Sequence, residues 1–144
     1  MAISILAFYV RDPKTTPEEF QDYMENHHWP LIKEVFGAEA PLSCTIRYVV
    51  RVKTGAGDRL GAPTSSQRRA DPNAPVVLVG EPSDLEWDAM SELMFRDELH
   101  VQQCLSTLNS PEGQRLKEDE EQFTVPEKLR VVVMGGTGTT MQLS

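Results

Sequence analysis

Cysteine is scarce in this chain: Cys44 and Cys104 are the two it has, with no Cys-x-x-Cys pair. That excludes a disulfide framework and a structural zinc site, and leaves reduced thiols as the expectation. Basic residues are also in short supply, 14 Lys and Arg against 22 Asp and Glu, for a formal net charge of -8. A phosphate partner wants a basic face, so nucleic acid is excluded; the one basic pair, Arg68-Arg69, falls in a stretch read as loop. No apolar run approaches the roughly 20 residues a membrane span requires, so no membrane partner is expected. Met1 to Val10 carries no basic leader and runs straight into a strand pattern, which makes a cytoplasmic location the expectation. The adjacent His27 and His28 lack His-x-x-x-His spacing, and helical neighbours point about 100° apart, so no metal is expected.

What is present is an ordinary globular composition, 40% hydrophobic and 25% charged over 144 residues. That length suffices for one core without staples, and residues 1–144 read as a single domain. The stretch that organises it is Glu25-Asn26-His27-His28-Trp29-Pro30, which holds two of the three histidines. A helix leads into it: Thr16 is a good N-cap, Pro17 suits the first helical position, and Glu19 completes a capping box. Pro30 predicts the stop, with Trp29 pushed out of helical dihedrals and both histidines in the last turn, where unpaired carbonyls favour a protonated imidazole. Periodicity puts Phe20, Met24, His27 and Leu31 at the centre of the apolar stripe, with Tyr23 and His28 at its edges. The spacing therefore leans to His27 as the inward residue. The plain alternative is one histidine packed in the core with a satisfied ring and the other solvated.

Along the chain, Ala2 to Val10 reads as a central strand, and Leu31 to Phe36 as a short helical piece closed by Gly37. Ser43 to Lys53 is β-rich, with Cys44, Ile46, Tyr48 and Val50 on one face and Thr45, Arg47, Val49 and Arg51 on the other. Its arginines either reach solvent or line a pocket for an anionic or phenolic ligand. Thr54 to Pro75, rich in Gly, Pro, Ser and Asp, reads as a long mobile loop or lid. Val76 to Val79 is extended, Glu86 to Phe95 is open between helix and strand, and Asp97 to Phe123 holds two helices split at Asn109-Ser110-Pro111. The second of these carries Glu118-Asp119-Glu120-Glu121; such a run is usually a solvated face, yet Asp119 lies one turn before Phe123 and shares its side. Lys128 to Met134 has the composition of a buried strand, and a polar tail begins at Gly135-Gly136. With Glu86 to Phe95 extended, the order is βαββαβ, an α+β ferredoxin-like sheet of four antiparallel strands; covering the sheet's second face calls for a homodimer.

The segments TTPEEFQDYMENHHWPLI, PLSCTIRYV, VVLVGEPSDLEWDAMSELMFRD, EDEEQF and KLRVVVMGGTGTT, in this order, resemble the EthD-domain proteins of the dimeric α+β barrel superfamily. The branch resembled is the fungal polyketide-tailoring one that includes atrochrysone carboxylic acid decarboxylases; its His-x-Pro falls at His28-Trp29-Pro30. The resemblance implies a dimeric barrel, makes Glu86 to Phe95 a strand, and selects His28 over His27. Where relatives resembling this chain carry Ser-His-Thr, here stands Ser43-Cys44-Thr45, which puts the reaction type in question.

The function this implies is a cofactor-independent lyase, a decarboxylase or dehydratase/cyclase, acting on an aromatic polyketide intermediate. His28 is the expected acid, Asp119 or Glu121 the base, and Arg47 or Arg51 the carboxylate's partner, with His27, Trp29, Cys44, Tyr48 and Glu121 lining the substrate. A cofactorless anthrone-type monooxygenase, with Trp29 and Tyr48 prominent, and a non-catalytic small-molecule-binding barrel are the alternatives. All three share one fold, so the site must separate them.

Overall fold

The capping signals at Thr16 act as their chemistry requires: its side chain accepts from the Glu19 N–H, while the Glu19 carboxylate accepts from the Thr16 N–H. In the computed structural model, which describes residues 2–68, 71–135 and 138–144, this cap starts the first of five helices. Arg69 of the basic pair and Gly136 at the start of the tail lie outside the described residues. The elements run β1 (Ile3–Tyr9), α1 (Pro17–Tyr23), a π-helical turn (Met24–His28), α2 (Trp29–Phe36), β2 (Ser43–Tyr48), a one-turn α3 (Ala56–Arg59), β3 (Ala89–Phe95), α4 (Glu98–Leu108), α5 (Pro111–Glu120) and β4 (Arg130–Met134). The four strands form one antiparallel sheet in the order β2-β3-β1-β4, the ferredoxin-like arrangement. Glu86 to Phe95 is thus extended from Ala89 onward.

Alternation along the strands sends Ile5, Ala7 and Tyr9 of β1 and Ala89, Ser91 and Phe95 of β3 to one face, where all are buried. Two clusters form there. Ala7, Tyr9 and Ala89 pack with Phe20, Met24 and Phe123, and Ile5 and Phe95 pack with Cys104 of α4. On β2, Cys44, Ile46 and Tyr48 face the helices, while Thr45 and Arg47 stand on the opposite, open face. That strand ends at Tyr48, short of the expected Lys53; beyond it the backbone pairs with residues 74–76 instead, and the Arg51 side chain meets the Asp88 carboxylate at 2.7 Å.

The stop at Pro30 needs correction. Pro30 does not stop the helix: Trp29 keeps helical dihedrals (φ -62, ψ -45) and the chain continues to Phe36. The Trp29 N–H reaches back five residues to the Met24 carbonyl, and this wider turn relieves the crowding that a proline ring causes against the carbonyl four residues earlier. His28 therefore sits mid-helix, so the argument from a helix C-terminus does not apply to it. Thr54 to Pro75 holds local structure: α3 and a short 3-10 turn (Pro63–Ser65) enclose a fully buried Ser65, whose hydroxyl accepts from the Val77 N–H. Finally, β4 is exposed at all five positions in the isolated chain, Val133 at 71%, despite its apolar composition.

The placement of α5, which carries the acidic run, depends on a close approach at its first turn. A Cβ on Gly113 would stand 1.9 Å from the Leu108 carbonyl oxygen, so only glycine lets α5 fold back this tightly against the end of α4. We expect Gly113→Ala to cost about 1–3 kcal/mol, since backbone must move to admit the methyl group. A thermal melt checks this; an unchanged midpoint would show that the α4–α5 turn is not tightly set.

Candidate functional site

The extra residue of the π turn rotates everything after it back by about one helical step, roughly 100°, relative to an unbroken helix. His28 thereby takes the place on the apolar stripe that regular spacing gives to His27. It is 1% exposed, in line with buried Phe20 and Met24, whereas His27 is exposed and stacks on the Tyr23 ring at 4.8 Å. Periodicity picked His27 because a π turn is invisible to a fixed 3.6-residue repeat.

Around His28, α5 supplies the partners. Nδ1 lies 2.9 Å from Asp119 Oδ2, and the Tyr23 hydroxyl donates to Asp119 Oδ1 at 2.7 Å. An ionised carboxylate only accepts, so Nδ1 carries a proton and Nε2 is left as the working nitrogen. Nε2 faces Glu120 Oε2 at 3.6 Å, too far for a direct hydrogen bond. Phe123 closes the remaining side, its ring 5.2 Å from the imidazole and 5.6 Å from Phe20. The result is an imidazole fixed on one side and flanked by a second carboxylate on the other. Such a group can move a proton at Nε2.

On the sheet beneath lie Tyr9, Ser91, Tyr48 and Cys44. Tyr9 is held protonated well above the ordinary phenol range, by burial first and then by the Glu120 charge. Tyr48 is pushed up by burial first and then by the approach of its hydroxyl to the Glu25 carboxylate. Burial pushes the Cys44 thiol up to about 11, which leaves it protonated and a weak nucleophile. A cleft of about 270 Å³ runs between the start of α1 and the end of β2, with Phe20, Tyr48, Arg51 and Lys53 among its walls.

The structure thus brings together His28, Asp119 and Tyr23, with Trp29 and Tyr48 packed against the same core cluster. It does not bring in Glu121, which is exposed, or Arg47, on the open face. Arg51 is buried but already paired with Asp88, a carboxylate that also accepts from the Arg11 N–H at 2.7 Å. Glu120 was not singled out from the sequence; Asp119 and Glu121 were, and helical geometry puts successive residues on different sides. Its signal was position i-3 from Phe123, a neighbour on the same face. Among the described residues no three metal-ligating side chains converge, and no helix is long and apolar enough to cross a membrane.

Comparison with known proteins bears on the fold and the family. The EthD domain model matches residues 12–127. No curated protein matches. Among solved structures the chain is similar to an ethyl tert-butyl ether D (EthD) family protein from Bacillus halodurans C-125, at 18% identity and TM-score 0.52, with 98% of this chain and 100% of that one covered. It is also similar to an EthD-like protein from Ralstonia eutropha JMP134, at 13% identity and TM-score 0.50, covering 92% and 87%. A third is a mutant of SnoaB, described as a cofactor-independent oxygenase from Streptomyces nogalater, at 8% identity and TM-score 0.50, covering 98% of each. Identities this low speak to the fold.

Burial makes the protein sensitive to alkali. Tyr23 is pushed up to about 12 from 10.0, by burial and then by the hydrogen bond to Asp119, and Cys44 and Cys104 to about 11 from 9.0. Each folded value is raised, so the native state keeps a proton that the unfolded chain gives up; the stability is intact below the unfolded value and is lost as pH rises through the folded one. The melting temperature should fall steadily from about pH 9 to pH 12. Tyr23→Phe should lower it at neutral pH, by loss of the bond to Asp119, but flatten its decline above pH 10. An equally steep decline in the variant would show that Tyr23 is not among the groups responsible.

Proposed function

The chain belongs to the EthD-domain family, and from that premise we propose that it is a cofactor-independent lyase acting on an aromatic polyketide intermediate of secondary metabolism. The observation that carries this reading is the buried His28, fixed at Nδ1 by Asp119, which the Tyr23 hydroxyl holds in turn, and turned toward Glu120 at Nε2. In a decarboxylation, the protonated imidazole gives its Nε2 proton to a carbonyl oxygen while the bond to the adjacent carboxylate breaks. Its electron pair forms the enol, carbon dioxide leaves, and solvent restores the proton to His28. In a dehydration or cyclisation, Glu120 takes a proton from carbon and His28 protonates the departing hydroxyl as water. Neither route asks anything of Cys44 beyond packing, which fits its protonated, half-buried thiol. Arg51 at the cleft wall is the cation placed to meet an anionic substituent, in exchange for part of its pairing with Asp88.

A second reading, a cofactorless oxygenase, draws support from the fold shared with SnoaB and from Trp29 packed against the core cluster beside His28. Incubating aromatic polyketide acids under argon and under air separates the two. Turnover without oxygen supports the lyase; oxygen uptake coupled to product supports the oxygenase.

The open sheet face, with Leu6, Phe8, Met90 and Met94 only partly covered, and the bare β4 edge suit a second copy of the chain. We expect a homodimer at micromolar concentration by sedimentation; a mass of one chain would contradict this.

His28→Ala should fold and lose roughly 2–4 orders of magnitude in turnover, the range of general acid-base catalysis. His27→Ala should shift stability by no more than about 0.5 kcal/mol and leave turnover intact, because the residue is exposed. Full activity in His28→Ala would sink the lyase reading.

A further inference from the structure

The cleft between the start of α1 and the end of β2 is spanned by an ion pair, in which the Lys53 ammonium donates to the Glu18 carboxylate. Both residues line the cleft, Glu18 on the first turn of α1 and Lys53 on the short 3-10 turn (Val52–Thr54) that follows β2, so the pair joins its two walls. Arg51 lines it too. Among the described residues of the lining that makes two cations to one acid, in a chain whose acids outnumber its bases 22 to 14. Pro17, Tyr48 and half-exposed Val50 give the same cleft apolar walls. A local excess of cations beside apolar walls suits a flat apolar body that carries one anionic group. The volume, about 270 Å³, is close to the lower end of small-molecule pockets, roughly 300–1,000 Å³, so the body is small.

The two cations differ in how readily they can change partner. The Arg51 side chain is 8% exposed; its Nη2 meets Asp88 at 2.7 Å and its Nη1 donates to the Asn73 carbonyl at 3.3 Å. Breaking a pair buried like that strands a charge away from water, which is strongly unfavourable. The Lys53–Glu18 pair is open to solvent, its side chains 39% and 61% exposed, and exposed pairs of this kind contribute little. The Lys53 backbone is nonetheless fixed: its N–H donates to the Pro72 carbonyl at 2.9 Å, and its carbonyl accepts from Gln67 Nε2 at 3.0 Å. Lys53 is therefore a cation held in place whose present partner is easily displaced.

We propose that Lys53 is a specificity-determining residue that receives the carboxylate of an aromatic acid at this cleft, and that Glu18 is an internal competitor which the ligand's carboxylate displaces. Arg51, committed to Asp88, adds its charge to the same spot. The class of ligand rests on the reading under Proposed function; what is added is the residue that selects an acid over its neutral analogue, and the contact that opens to admit it.

The test titrates the full chain by calorimetry with 2-naphthoate and with 2-naphthamide, which share a ring system and differ in charge at neutral pH, while thermal melts follow stability. The wild-type chain should bind the acid better than the amide. Lys53→Met keeps the apolar stem and removes the charge; it should weaken naphthoate roughly fivefold, the upper range for a solvent-exposed charge pair. Glu18→Gln should tighten naphthoate roughly threefold. That gain should vanish in the Lys53→Met background, because a competitor matters only where there is a cation to compete for. Amide binding should stay unchanged throughout, and each melting temperature should lie within about 4 °C of wild type.

Equal affinity of the wild-type chain for acid and amide overturns the proposal, and so does unchanged naphthoate affinity in either single variant. A gain from Glu18→Gln that persists without Lys53 also overturns it, since Glu18 would then act by plain repulsion. A melting temperature lower by more than about 4 °C in either variant does the same, because the pair would then hold the fold. If the affinities behave as expected while His28→Ala keeps full turnover, the binding inference survives and the lyase reading falls. If they do not while His28→Ala loses turnover, the lyase reading stands without this carboxylate site.

Discussion

One backbone hydrogen bond sets the geometry on which the site depends: the Trp29 N–H reaching the Met24 carbonyl across five residues. A proline at position 30 makes the ordinary four-residue ladder unfavourable there, and a helix meeting that conflict either ends or widens. This one widens, continues to Phe36, and in doing so turns His28 rather than His27 toward the sheet. Without the wide turn the Nδ1–Asp119 bond would face solvent and the partners on α5 would have no imidazole to hold. The second half of the constraint is Gly113, which lets α5 fold back against the end of α4 and so positions Asp119 and Glu120.

How much of this was legible in the sequence follows the range of the interactions involved. The Thr16 cap, the β1 run and the split between α4 and α5 are local signals, set by residues within a few positions of each other, and all stand in the structure. The proximity of Asp119 to the inward face was readable from its i-4 spacing to Phe123. Pro30 misled because a proline inside a helical pattern has two physical outcomes, and tertiary packing decides between them. The choice of His28 needed the family's His-x-Pro pattern, since periodicity assumes the regular repeat that the π turn breaks. Arg51 shows the same limit: strand alternation assigned it a face beside Arg47, but the strand ends at Tyr48 and the Arg51 side chain pairs with Asp88, far away in sequence.

The acidic run on α5 illustrates how one segment serves two purposes. Glu118 and Glu121 are exposed and act as a solvated face, while Asp119 and Glu120 are drawn toward His28. Placing two carboxylates against one imidazole is costly unless each charge has partners. Asp119 has two, the imidazole and the Tyr23 hydroxyl; among the described residues Glu120 has only the long approach to Nε2. That unequal sharing leaves Glu120 and Nε2 as the pair with capacity to engage something else.

A second buried histidine gives the contrast that makes this argument specific. His100 is as buried as His28, but its Nδ1 accepts from the Arg96 N–H and its Nε2 lies 2.9 Å from the Glu39 carbonyl, so both ring nitrogens are satisfied by backbone. Such a ring is a neutral structural wedge between β3 and the segment before β2, with no proton to exchange without breaking a bond that holds the fold. His28 answers to side chains rather than backbone, and among the described residues one of its nitrogens answers to nothing at hydrogen-bond distance. Burial alone therefore does not mark a functional histidine in this fold. The mark is burial with an unspent nitrogen, faced by a carboxylate that stands just beyond hydrogen-bond distance.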